Sequence, residues 1–141
     1  MIKELDEKAV RKLLKEQKFG HLGCTIAGGE PYIVPVNYLF QDGKIYIHSL
    51  PGKKLDALRE NGKTCFQVEK IEDCFRWQSV IAFGEFQEVK RTNEKIKIMQ
   101  EFSRKFERLT PVEAMIEEEW NLGGLVVFRI NIKRITGIEE T

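Results

Sequence analysis

Lys53 and Lys54 follow Ser49-Leu50-Pro51-Gly52 directly and open a stretch in which Leu55 and Leu58 read as the inner side of a short helix. Cations at a helix N-terminus oppose the helix dipole, at a cost of about 0.3–1 kcal/mol each. An anion bound there reverses the sign of that effect. Ser49 adds a hydroxyl donor, and Gly52 lets a ligand approach the backbone closely. These residue types in this order suggest a phosphate cradle. A solvated lysine pair on an exposed helix fits the charges alone at least as well.

Other residues offer weaker chemistry. Pro35 interrupts an alternating strand and removes a ladder donor, so the strand lies at an edge or is broken there. Asn37, two residues on, shares its face and has both a donor and an acceptor. His48 ends a strand beside Ser49 and could touch a ligand or move a proton near neutral pH. A lone strand histidine is more often only hydrogen-bonded, and His21 has no stronger surroundings. Neither histidine sits in a carboxylate pattern that suggests a metal. Trp77 and Ser79 share one strand face and Gln78 takes the other; together they could frame a planar heterocycle, and a core tryptophan at a strand start fits equally well. Glu117-Glu118-Glu119 reads as a solvated face. No dinucleotide fingerprint, Walker loop, nucleophile elbow or H-E-x-x-H motif occurs.

The elements that must position these groups follow from periodicity. Asp6 caps a first helix with Leu5, Ala9, Val10, Leu13 and Leu14 on one face. Strands are expected over 19–27, 32–40 and 45–49, with turns at Gly28-Gly29 and Asp42-Gly43. Tyr32, Val34, Val36, Tyr38 and Phe40 fall on one face of the second. The short helix spans 51–61 and stops at Gly62. Residues 64–68 form a strand, 69–75 a polar turn, and 76–90 a long strand in which Gly84 marks a bend or bulge. A second long helix opens at Thr92 and carries Ile96, Met99, Phe102, Phe106 and Leu109. A third, short helical segment runs from Thr110-Pro111 to Glu119 and ends at Gly123-Gly124. The last strand is 125–133, and 135–141 is a tail. Six strands and few helices predict a mainly β protein, a small antiparallel barrel.

The chain has 141 residues, which fits a single domain over 1–141, and 42% of them are hydrophobic against 32% charged, enough for one core. A net charge of +1 gives no global attraction to nucleic acid or to an anionic membrane. No apolar run approaches a membrane span of about 20 residues. The first residues have no apolar signal core, so the expected setting is the cytoplasm. Cys24, Cys65 and Cys74 are odd in number and form no C-x-x-C pair, which argues against a disulfide framework or zinc knuckle.

His21-Leu22-Gly23, Pro35-Val36-Asn37-Tyr38, Ile45-Tyr46-Ile47-His48-Ser49 and Gly52-Lys53-Lys54-Leu55-Asp56-Ala57-Leu58, taken together, resemble the pyridoxamine 5′-phosphate oxidase-like flavin-binding proteins. The nitroimidazole-resistance branch is the most similar. Trp77-Gln78-Ser79-Val80, Gly84 and Arg134-Ile135-Thr136-Gly137 fit the same pattern, and the resemblance covers roughly Leu13 to Gly137. It implies a six-stranded split β-barrel that dimerises, with flavin mononucleotide (FMN) in a cleft between protomers. Val34, Pro35, Val36 and Asn37 would line the isoalloxazine ring. His48 and Ser49 would lie near the ribityl chain and phosphate, and Lys53 and Lys54 would bind the phosphate. Trp77, Gln78 and Ser79 would come from the partner subunit.

Two departures bear on activity. Relatives often carry Arg where this chain has Lys53, so a bidentate fork becomes a point charge. The C-terminal Trp and Arg-Leu elements that hold substrate in true pyridoxamine phosphate oxidases have no counterpart in Ile138-Glu139-Glu140-Thr141. The expected activity is therefore flavin-dependent oxidoreduction of a small electron-poor molecule such as a nitro compound, with His48 as the one acid–base candidate. The alternatives are a non-catalytic module that stores or senses flavin or haem, with His48 or His21 as an axial ligand, and a barrel that serves only in protein interaction.

Overall fold

The computed structural model describes residues 1–106 and 124–141. Strand β1 (Ile2–Glu4) leads into helix α1 (Glu7–Glu16), capped by Asp6, whose Oδ1 accepts from the Ala9 amide at 2.8 Å. Val10, Leu13 and Leu14 form its buried side. Strand β2 (Phe19–Ile26) turns through Gly28 and Gly29, both at positive φ, into β3 (Glu30–Asn37). Strand β4 (Leu39–Gln41) and β5 (Lys44–Ser49) are joined by Asp42-Gly43, with φ of 53° and 70°, the paired left-handed conformation of a two-residue hairpin. Helix α2 (Lys53–Glu60) follows, then β6 (Lys63–Asp73), β7 (Arg76–Val89), α3 (Thr92–Lys105) and β8 (Val126–Glu140).

The sheet order is β3-β2-β6-β7-β8-β5-β4, with β1 added to the far end of β8. Its two end strands, β3 and β4, are consecutive in the chain and separated by Tyr38 alone. The sheet must therefore curl until its ends meet, because one residue spans only about 3.8 Å between neighbouring Cα atoms. The barrel is closed through a covalent link, and a seam runs between β3 and the β4–β5 hairpin. Tyr38 is fully buried at this point; its hydroxyl donates to the Leu14 carbonyl at 2.6 Å and its ring meets Phe66 edge-on.

The barrel interior holds Leu22, Ile45, Ile47, Phe66, Val68, Val80, Ala82, Phe128 and Ile130, closed at one end by α1 and along the side by Leu55 and Leu58 of α2. A second cluster lies outside the sheet, where Ile98, Met99 and Phe102 of α3 cover Leu39, Tyr46, Val89 and Val127.

Several expectations need correction. The strands number eight among the described residues, not six. Tyr38 breaks the expected 32–40 strand in two, and β1 was not anticipated. Residues 69–73 continue β6 as a projecting hairpin arm, so the turn shrinks to Cys74-Phe75. Their polarity reflects exposure of both faces of the arm, which periodicity cannot separate from a loop. The 135–141 tail is the second half of β8, held by β7 on one side and β1 on the other. Gly84 does mark a bulge: the β7–β8 register shifts there, and a Cβ would stand 2.3 Å from the Asn131 carbonyl oxygen. Helix α3 ends at Lys105, and Phe106 is already extended. Leu109, the segment 110–119 with Glu117-Glu118-Glu119, and Gly123 lie outside the described residues.

Candidate functional site

Helix α2 starts from Gly52 with no capping side chain, and a Cβ there would meet nothing within 4 Å. The first hydrogen bond of the helix runs from the Asp56 amide to the Gly52 carbonyl at 3.1 Å. The amides of Lys53, Lys54 and Leu55 are thus the donors the helix itself leaves over. Lys53 is exposed, whereas Lys54 is half-buried. Burial lowers the Lys54 pKa, partly offset by the thiol of Cys24 on β2; the Cys24 thiol is itself raised by burial. Among the described residues neither lysine forms an ion pair. A half-buried ammonium without a carboxylate, at the open N-terminus of a helix, is a place where an anion is stabilised by two separate effects.

Ser49 ends β5 beside this corner, its hydroxyl donating to the Leu50 carbonyl at 2.8 Å. Successive strand residues face opposite ways. Ser49 shares the phase of Ile45 and Ile47, which fill the barrel, while His48 shares that of Tyr46 and meets Phe102 of α3 edge-on at 4.7 Å. The two neighbours therefore look to different sides of the strand.

On β3, Val34 and Val36 pack against the barrel core, while Pro35 is exposed on the outer face of the sheet. Asn37 donates to the Lys18 carbonyl at 3.4 Å. Because β3 ends the sheet, one edge of its backbone is open along the seam, and Pro35 brings no N–H to the other. Helix α2 packs against β2, where Cys24 lies close enough to Lys54 to influence its pKa, and Cys24 pairs with Tyr32 of β3 across the ladder.

Trp77 and Ser79 lie on the outer face of β7, and Gln78 takes the inner phase of Val80 and Ala82. They are three strands from β3, about 14 Å at ordinary strand spacing. One protomer thus sets Ser49 and the lysine corner four residues apart in the chain, with α2 against β2, the neighbour of β3, while Trp77, Gln78 and Ser79 stand on a strand further round the sheet.

Residues 6–139 match the family described as pyridoxamine 5′-phosphate oxidase. The chain belongs to that family. Solved structures share the fold over almost the whole chain. A FAD-binding protein from Mesorhizobium loti superposes with a TM-score of 0.76 at 25% identity, covering 100% of this chain and 99% of that one. A candidate 5-nitroimidazole antibiotic resistance protein from Bacteroides thetaiotaomicron gives a TM-score of 0.79 at 19% identity, covering 99% and 89%. An uncharacterised protein of Rhizobium meliloti strain 1021 is 36% identical over 63 residues, which are 45% of this chain and 42% of that protein. The matched stretch is thus less than half of that relative's length.

Within this family member, the sequence did not point to two side chains that shape the seam and the open face, Lys105 and Gln67. Lys105 donates to the Tyr38 carbonyl at 2.9 Å and stands 4.0 Å over the Tyr38 ring. Gln67 links His21 to Ser79 across three strands, with contacts of 3.0 and 3.1 Å. The only sequence signal for Lys105 is a basic residue in the last turn of a helix, which dipole considerations explain equally well. For Gln67 there is none, since its partners are 46 and 12 residues away. No described helix is long and apolar enough to cross a membrane.

Proposed function

We propose that the chain binds FMN in a cleft between two copies and acts as a flavin-dependent oxidoreductase on a small electron-poor molecule, a nitro compound being the model substrate. The observation that carries this reading is Lys54, a half-buried cation with no ion-pair partner among the described residues, at the open end of α2 in a chain of this family. The phosphate would lie on Lys54, Lys53 and the first-turn amides. Ser49 would reach the ribityl chain, and the edge of β3 from Val34 to Asn37 would support the ring. His48 would act from the α3 side of β5. A flavin held there would supply two-electron redox chemistry between a reduced donor and the electron-poor acceptor.

The second copy follows from two features. Phe19, Ile33, Ile71 and Phe75 are 64%, 70%, 64% and 74% exposed, and the first three lie on the bare side of the sheet and its hairpin arm. Large apolar side chains gathered in this way mark an interaction surface. Trp77, Gln78 and Ser79 of the partner subunit would then complete the cofactor site. The cytoplasm, where free thiols such as Cys24, Cys65 and Cys74 persist, is the setting this reading requires.

The purified protein is expected to show the visible absorption of an oxidised flavin. Its released cofactor should be FMN by mass, and reduced nicotinamide with a nitroaromatic should bleach and restore the colour. A colourless protein that leaves FMN fluorescence unchanged overturns the proposal, and a Soret band replaces flavin with haem.

A further inference from the structure

His21 lies between Gly20 and Leu22, both of which face the core: Leu22 is fully buried, and a Cβ on Gly20 would strike the Phe66 ring. The imidazole is therefore on the outer face of the sheet. There it pairs across the ladders with Pro35 of β3 on one side and Gln67 of β6 on the other. Gln67 donates from Nε2 to the Ser79 hydroxyl at 3.1 Å. Its other amide atom, Oε1, is 3.0 Å from His21 Nδ1. With the Gln67 amide in this orientation its carbonyl oxygen accepts from Nδ1, and the neutral ring then turns the Nε2 lone pair outward. Among the described residues Nε2 has no partner. His21 lines a groove together with Glu16, Gln17, Lys18, Phe19 and Glu69.

We propose that His21 is a cofactor-contacting residue whose Nε2 accepts a hydrogen bond from a heterocyclic imide N–H lying against Pro35, the donor that the pyrimidine edge of a flavin carries at N3. This rests on the flavin reading above and goes beyond it by assigning the ring's polar edge to one atom. An oriented acceptor on a face that a ligand and a second subunit cover must be matched by a donor, because a buried lone pair without one has lost its water. The ring-supporting strand β3 is its immediate neighbour. Gln67 is a positioning residue, held by the Ser79 hydroxyl of its own protomer: it fixes which nitrogen carries the proton, as second-layer groups do for ligating histidines.

The test is a cycle between protein and ligand. FMN and N3-methyl-FMN, which lacks the donor, are titrated into the wild type, His21→Ala and Gln67→Leu by fluorescence quenching. The wild type should lose about three- to tenfold in affinity on N3 methylation, the range of one neutral hydrogen bond. His21→Ala should weaken FMN by a similar factor and respond to methylation by less than about twofold. Gln67→Leu should weaken FMN while leaving N3-methyl-FMN unchanged. In the free wild type, imidazole nitrogen NMR should report a protonated Nδ1 and a bare Nε2. If His21→Ala does not fold, the methylation response of the wild type and the NMR tautomer decide the matter. FMN binding with no methylation penalty, an equal penalty in His21→Ala, or a protonated Nε2 overturns the role of His21 and leaves the flavin reading standing. Failure of the wild type to bind FMN at all overturns both.

Discussion

The outer surface of the sheet is treated in two ways. Over β4, β5, β8 and the end of β7, helix α3 lays Ile98, Met99 and Phe102 onto Leu39, Tyr46, Val89 and Val127. Polar straps hold it there: Arg129 to Glu94 at 2.8 Å, Lys95 to the Leu125 carbonyl at 3.3 Å, and Lys105 to the Tyr38 carbonyl at 2.9 Å. Over β3, β2, β6 and the start of β7 no described element covers the sheet, yet Phe19 and Ile33 stand out from it as apolar residues. The histidines divide in the same way, His48 against α3 and His21 on the bare side. Apolar strand positions that the chain itself covers build stability. Those it leaves open are where a second molecule gains most by burial.

The sharpest way to break this contrast is to remove one side chain from each half. Phe102→Ala empties a fully buried ring site under α3 and should cost about 3–5 kcal/mol of unfolding free energy, measured by urea titration. Phe19→Ser with Ile33→Ser should leave the stability of the monomer within about 0.5 kcal/mol for each change, while sedimentation should show the proposed dimer weakened at least about tenfold. Equal losses of monomer stability from the two sets would mean that the halves do not differ in kind.

The same division explains how much of the molecule was legible beforehand. The alternation of Tyr32, Val34 and Val36, the Asp42-Gly43 hairpin and the Asp6 cap are local, and each was readable because one face or one turn conformation is forced by the residues themselves. The arm at 69–73 and the second half of β8 were not. Their strand character comes from partners across the ladder, and Glu69, Lys70 and Glu72 look like loop residues in isolation. The lysine corner was readable as a charge anomaly. That Lys54 and not Lys53 is the desolvated member was not, because it depends on how α2 lies on β2. The opposed directions of His48 and Ser49 follow from strand alternation, but which side α3 would cover does not. The Ser79–Gln67–His21 chain requires the β2–β6–β7 strand order, a non-local outcome.

The lysine pair sharpens the comparison on a smaller scale, since one member is open to water and the other is not. Lys54→Met should weaken FMN binding by about ten- to hundredfold, the range of a charge-assisted contact. Lys53→Met should cost less than about threefold, because an exposed cation is screened. Fluorescence titration of the two variants measures both, and raising the salt concentration should narrow the gap for Lys53 first. Equal losses would show that the seat is made by net charge at the helix end and not by the buried ammonium.

The smallest expected effect is at the edge of the covered half, where Lys105 pins α3 to the seam. Burial, with the nearby charge of Lys18, pushes its pKa down to about 8 from the ordinary 10.5. Between those values the unfolded chain binds a proton that the folded one has released, so stability rises with pH across the window. Below about pH 8 the ammonium is charged in both states and its burial penalty is constant; above about 10.5 it is neutral in both and the gain is complete. Tyr38 opposes this only at the alkaline end, since burial raises its pKa and holds it protonated in the fold. Urea midpoints for the wild type minus those for Lys105→Met should therefore climb from pH 8 to pH 10. A flat difference would mean that the Tyr38 carbonyl and ring already compensate the ammonium fully, leaving α3 held by packing alone.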